Sequence, residues 1–249
     1  MGIPKKRPDY FFSMSESKDK QRLIREIAFF SEYVSEHKKK LFREILQSRT
    51  RYFTVVLEDL YQAQNASAVL RSCDGFGIQD VHVIENRNVF DIDKGVTIGS
   101  DKWLDVYQYN QEQVNNTERA YQHLRNKGYK IVATTPHEKQ ISLPDFQPNQ
   151  PTALIFGAEK AGLTPYAIEN ADEWLHIPMY GFSESFNISV SVALCLYQLR
   201  VVMNHSQQDF SLSHHQKEKL FLQWIRKSIR KLEPLDRKFL EMEQLFDDQ

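Results

Sequence analysis

Apolar residues recur at Leu23, Ile27, Phe30 and Val34, and again at Leu41, Phe42, Ile45 and Leu46. This period near 3.6 predicts two helices within residues 15–49. From Tyr52 the pattern changes to short β-branched runs alternating with helical stretches. Phe53–Leu57, Val81–Ile84, Lys130–Thr134 and Ala153–Phe156 read as strands, and another strand ends at Pro178. Between them, Asn65–Phe76, Thr117–Lys127, Thr164–Asn170 and Ser185–Val202 read as helices. This alternation predicts an α/β domain with a mainly parallel sheet and helices on both faces. The run Thr152-Ala153-Leu154-Ile155-Phe156 is almost wholly apolar, as a strand buried on both sides requires. A polar link around His205–Ser211 leads to one more amphipathic basic helix over residues 213–231. The expected organisation is a helical extension at 1–51, a central domain at 52–205 and a helical extension at 206–249.

The chain has 249 residues, 41% hydrophobic and 26% charged, which suits a soluble globular protein with a sizeable core. No apolar run approaches membrane-spanning length, and the first residues lead into polar sequence rather than an apolar signal core. Cys73 and Cys195 each lie in an apolar helical pattern, which argues against a disulfide framework or metal site and for a reducing cytoplasm. The net charge of −1 conceals a division by segment. Residues 1–51 hold 13 Lys/Arg against 7 Asp/Glu, and residues 209–238 hold 8 against 4, whereas residues 52–208 hold 11 against 18. Basic flanks around an acidic middle fit solvated helix faces and fit arms that grip a polyanion. The candidates for such a grip are Lys38, Lys39, Lys40 and Arg43 in the first flank, and Arg226, Lys227 and Arg230 in the second.

In an open α/β sheet, ligands collect at the carboxyl ends of the strands. Three segments occupy such positions. The first is Asn65–Arg71, where Asn65 suits a helix N-cap. Arg71, on an otherwise apolar helix, either snorkels to solvent, pairs with an acid such as Asp74, or offers its fork to a phosphate. The second is Gly157-Ala158-Glu159-Lys160-Ala161-Gly162, whose glycines permit a tight turn after the most apolar strand. It matches neither a phosphate loop nor the dinucleotide fingerprint. The third runs from Ile177-Pro178-Met179 through Ser185-Phe186-Asn187 to Ser191, with a helix beginning near Ser185 or Asn187 and Ser185 suited to its N-cap. That helix is apolar on nearly every side, so it is buried in the core or in a subunit interface.

Taken in order and spacing, the three segments resemble the SPOUT superfamily of S-adenosylmethionine (AdoMet)-dependent RNA methyltransferases, in its SpoU-type 2′-O branch. The match runs from about Tyr52 to Val202. The stretches Ser67–Gly77 and Gly99–Leu104 resemble the group within that branch that acts on guanosine 18 of tRNA. The resemblance implies a deep trefoil knot at the C-terminal side of the sheet and a cytoplasmic homodimer packed through Ser185–Val202. It implies methyl transfer from AdoMet to a ribose 2′-hydroxyl, with tRNA as partner and no metal. Carried over residue by residue, the catalytic set is Asn65, Arg71, Glu159, Ser185 and Asn187. The donor would lie against Thr134, Thr135, Gly157, Gly162, Ile177, Met179, Ser185 and Phe186. The sequence departs from the branch at Ser191 (alanine in relatives), Glu184 (often an amide) and Thr135 (often histidine). A ribosomal RNA 2′-O-methyltransferase and a non-catalytic RNA-binding factor on the same fold are the alternatives.

Overall fold

Two helices, α1 (Tyr10–Ser31) and α2 (Glu36–Leu46), open the computed structural model, which describes residues 10–136, 140–159 and 161–247. Strand β1 (Phe53–Glu58), helix α3 (Ala63–Gly75) and strand β2 (Asp80–Ile84) follow, then a one-turn helix α4 (Lys94–Thr97) and strand β3 (Asp105–Tyr109). Helix α5 (Asn116–Asn126) leads to β4 (Lys130–Thr134), the short β5 (Ile141–Ser142) and β6 (Thr152–Phe156). The chain continues through α6 (Pro165–Glu169), β7 (Glu173–His176), α7 (Ile188–His205), α8 (His214–Ser228) and α9 (Glu233–Asp247).

The seven strands form one sheet in the order β3-β2-β1-β6-β4-β7-β5, and every pairing is parallel. β1 and β6 occupy the middle, in register from Phe53 opposite Thr152 to Leu57 opposite Phe156, and every residue of both is buried. Their continuous apolar sequences follow from burial on both faces. Alternate residues serve opposite faces. Phe53, Val55 and Leu57 join Val69, Leu70 and Cys73 of α3 and Val192, Cys195 and Leu196 of α7 in one core. On the other face Val56 and Ile155 pack with Ala120, Tyr121 and Leu124 of α5 and Ala167 of α6. Cys73 and Cys195 are free and buried, and burial pushes the Cys195 thiol up to about 12.

Three elements depart from the sequence pattern. β3 is an edge strand of alternating half-buried and exposed residues, so Asp105, Gln108 and two tyrosines hide its strand character. His82, stacked on Tyr107 and bonded to the Tyr109 hydroxyl, anchors it, and burial depresses that imidazole to about 3. The helix expected over 213–231 stops at Ser228, and α9 starts separately at Glu233, one residue before Pro234. β7 ends at His176, ahead of Pro178.

By contact the chain falls into two compact units, Ser48–Ser211 and the helices before and after it. In the helical unit α1 packs on α8 and α9, and α2 on α8, so both extensions share one core. Phe29 and Phe30 meet Phe239, and Phe42 meets Trp224 edge-on. Among the described residues no helix is long and apolar enough to cross a membrane. No described group of His, Cys, Asp or Glu could hold a metal ion.

Candidate functional site

All strands being parallel, their carboxyl ends lie along one edge of the sheet. The chain leaves β1 in one direction, outward to β2 and β3, and leaves β6 in the other, passing over β4 to β7. The reversal lies between β1 and β6, the position where open sheets leave a crevice. Asn65 follows β1 and Glu159 follows β6.

Asn65 does not cap its helix. α3 begins two residues earlier, with Gln62 at the N-cap position making no side-chain cap bond. Asn65 sits instead inside the first turn, buried, with its amide directed across the crevice. Its Nδ2 donates to Glu159 Oε1 at 2.6 Å and to Gln62 Oε1 at 2.9 Å. Its Oδ1 accepts from Asn187 Nδ2 at 3.1 Å. Asn187, not Ser185, is the N-cap of α7, and its Oδ1 accepts from the Ser189 amide and hydroxyl at 2.9 and 2.7 Å. One hydrogen-bonded chain, Ser189–Asn187–Asn65–Glu159, therefore joins all three segments. The charge-assisted bond to the carboxylate contributes about 1.5–3 kcal/mol. Each member also fixes the amide orientation of the next.

The loop carrying Glu159 folds on itself. Ala158 and Gly162 exchange backbone hydrogen bonds of 3.1 and 2.8 Å, and Gly162 has φ +67°. A Cβ on Gly157 would overlap the backbone of Gly162 and Leu163, so only glycine closes this pinch. Lys160 lies outside the described residues. Just beyond, Thr164 is held by Glu58, which accepts from its amide and hydroxyl at 2.8 Å each. Glu58 also accepts from the Thr117 hydroxyl at 2.5 Å. Sequence reasoning passed over Glu58 and Gln62. The signal for Glu58 was an acid ending an otherwise apolar strand; it is buried, with no ion pair among the described residues.

Beside this chain of amides lies a cleft with an empty volume of ≈ 380 Å³, partly open to solvent. Six of the eight expected donor contacts line it: Thr134, Thr135, Ile177, Met179, Ser185 and Phe186. Gly157 and Gly162 do not line it, because they form the pinch that shapes the neighbouring loop. Leu175, Glu184 and Ser191 complete its wall with Pro136. The Thr134 hydroxyl is engaged with the Ile155 carbonyl at 2.7 Å.

Arg71 stands exposed on α3 and makes no hydrogen bond or ion pair with any described residue. Asp74, one candidate to neutralise it, pairs with Arg49. In the helical unit several basic residues are already engaged. Lys39 pairs with Glu36, Arg43 with Glu218 at 3.2 Å, and Arg226 with Asp236 at 2.7 Å. Arg43 also lies over Phe221 and Arg226 over Phe30. Lys38 and Arg230 are exposed, and their side chains meet no described acid; Lys40 and Lys227 are also exposed.

A parallel sheet with a hydrogen-bonded polar chain at its reversal point, beside a cleft of mixed apolar and hydroxyl lining, defines a ligand-binding α/β enzyme. Residues 52–197 match the SpoU rRNA Methylase family, and the chain belongs to it. A tRNA (guanosine(18)-2'-O)-methyltransferase of Borreliella burgdorferi is 37% identical over 208 residues, covering 84% of this chain and 93% of that one. The crystal structure of the A. aeolicus TrmH/SpoU tRNA modifying enzyme superposes with TM-score 0.69 at 28% identity, over 79% of this chain and 98% of that one. A Shewanella oneidensis 23S rRNA (guanosine-2'-O-)-methyltransferase is 30% identical over 62% of this chain and 61% of its own length.

Proposed function

We propose that the protein transfers a methyl group from AdoMet to the 2′-hydroxyl of guanosine 18 in the D-loop of tRNA. The observation that carries this reading is Asn65, which binds Glu159 and Asn187 at once and so draws the three motif segments into one site. The names of the relatives supply the tRNA, and the match to the Borreliella burgdorferi enzyme spans both units.

The cleft suits the donor by its chemistry. Leu175, Ile177 and Met179 offer apolar surface for a heterocycle, Ser185 and Ser191 offer hydroxyls for a sugar, and Glu184 offers a carboxylate. When bound, AdoMet supplies a methyl carbon activated by a sulfonium. The protein's task is to hold the ribose oxygen in line with that carbon and to help its proton away. Asn65 and Glu159 position the ribose, with Asn187 and Ser185 between donor and target. The second carboxylate oxygen of Glu159 has no partner among the described residues and is available to a hydroxyl. Arg71 clamps the phosphate beside the target and steadies the developing alkoxide. A guanidinium is a poor general base, and an adjacent phosphate favours its charged form further.

The chain passing through the third segment into α7 forms a deep trefoil knot in this reading, and α7 is the dimer interface of a cytoplasmic enzyme. α7 buries Ile188, Val192, Cys195 and Leu196 against its own core while Val190, Leu194 and Tyr197, at helical spacing, stay exposed. Sedimentation should give twice the chain mass at micromolar concentration, and a monomer would overturn this interface. In this reading residues 52–205 are the methyltransferase domain and the helical unit is an RNA grip. Replacing Lys38, Lys40 and Arg230 together by alanine should weaken tRNA binding and reduce its logarithmic salt slope by about 2–3. AdoMet affinity should hold. An unchanged slope would place the RNA elsewhere.

The similarity to a 23S ribosomal RNA enzyme supports a second reading, ribosomal RNA as substrate. Labelled AdoMet incubated with unmodified tRNA and with ribosomal RNA separates the two once the labelled nucleotide is mapped. Incorporation at guanosine 18 is expected. Incorporation only into ribosomal RNA would replace the reading, and incorporation into neither favours a non-catalytic RNA-binding factor.

A further inference from the structure

The cleft assigned to the methyl donor has one formal charge among the described residues that line it. Its wall is threonine, serine, proline and apolar side chains, with Glu184 as the exception. Glu184 is exposed and makes no ion pair or hydrogen bond with any described residue. Among the described residues its carboxylate is therefore spent on nothing, and it precedes Ser185 in the same loop.

The reaction changes the charge of what this cleft holds. As the carbon–oxygen bond forms, the carbon–sulfur bond breaks, and sulfur keeps the electron pair. The hydroxyl proton leaves to solvent. The donor enters as a sulfonium cation and leaves as a neutral thioether, while its amino-acid tail carries the same charges before and after. A single carboxylate beside an otherwise neutral wall attracts the first form more than the second.

We propose that Glu184 makes the cleft sense the charge of its nucleoside ligand, binding the methylated sulfonium donor more tightly than the demethylated thioether product. This rests on the reading of the cleft as an AdoMet site. Its consequence is relief from product inhibition: the spent donor loses an attraction at the moment it must leave.

Calorimetric affinities of the full chain and of Glu184→Gln for three ligands test it. The ligands are AdoMet, S-adenosylhomocysteine and sinefungin, the last with an amine cation in place of the sulfonium. Glutamine keeps the shape and removes the charge at an exposed position. The substitution should weaken AdoMet and sinefungin about three- to tenfold and leave S-adenosylhomocysteine within about twofold, as expected for one part-screened charge pair. Raising salt from 0.05 to 0.5 M should shrink the wild-type preference for the cations and leave the variant nearly unaffected. Equal weakening of AdoMet and S-adenosylhomocysteine would overturn the proposal, since the carboxylate would then face the shared tail. Unchanged affinities for all three would overturn it too. Failure of the wild-type chain to bind any of them would sink the donor reading itself, a result distinct from either.

Discussion

Arg71→Lys should lower single-turnover methyl transfer by about 100-fold or more, while AdoMet affinity stays within about twofold of wild type. The side chain is exposed on α3, free of any described acid, and absent from the lining of the donor cleft. Donor binding therefore has no reason to respond. Lysine keeps the positive charge but presents a point donor in place of a planar fork, so a bidentate grip on a phosphate is lost. Because the loss falls on the transition state, tRNA affinity should drop far less than turnover. Near-normal turnover in the lysine variant would remove the clamp. Raising the pH gives a second check: a guanidinium acting as base would make wild-type rate climb steeply toward pH 10, whereas a clamp gives a plateau once the hydroxyl proton finds another acceptor.

The sheet was legible because its central strands are buried on both faces and so consist of little but apolar residues, as in Thr152–Phe156 and Phe53–Leu57. β3 escaped because an edge strand half exposed to solvent carries no such run. The pairing of the two helical extensions into one unit escaped for another reason: residues 10–47 and 212–247 meet only through the fold, and amphipathic periodicity names no partner. At the site, local rules misassigned two caps. Asn65 and Ser185 both satisfy the composition of an N-cap, but α3 starts earlier and α7 later. A side chain released from capping in this way is free to reach across the crevice, and Asn65 does. The motif spacing carried the grouping of Asn65, Glu159 and Asn187. It could not carry the atoms through which they bond, since these depend on the register of β1 against β6. Nor could it separate the glycines that shape the Glu159 loop from the residues that line the cleft.

Asn65→Asp should cost about 100-fold in turnover at pH 8 and recover part of that loss as the pH falls toward 6. The amide donates to Glu159 Oε1 at 2.6 Å and accepts from Asn187 at 3.1 Å. An aspartate keeps the acceptor and replaces the donor with a second carboxylate oxygen at contact distance from the first. Two carboxylates so placed cannot both ionise without strong repulsion, and the pair's upper apparent pKa rises above the usual carboxylate range. Above that value the loops carrying residues 65 and 159 are pushed apart. Below it one proton is shared, and an O–H donor restores the link. The sign for stability follows the same course: the folded state is penalised at high pH and relieved as pH falls through the raised value. Asn65→Ala separates this from simple loss of the link, because it removes donor and acceptor without adding charge. Its activity should be low at every pH between 6 and 8. Parallel pH–rate profiles for the two variants would mean that Asn65 and Glu159 do not act through their hydrogen bond.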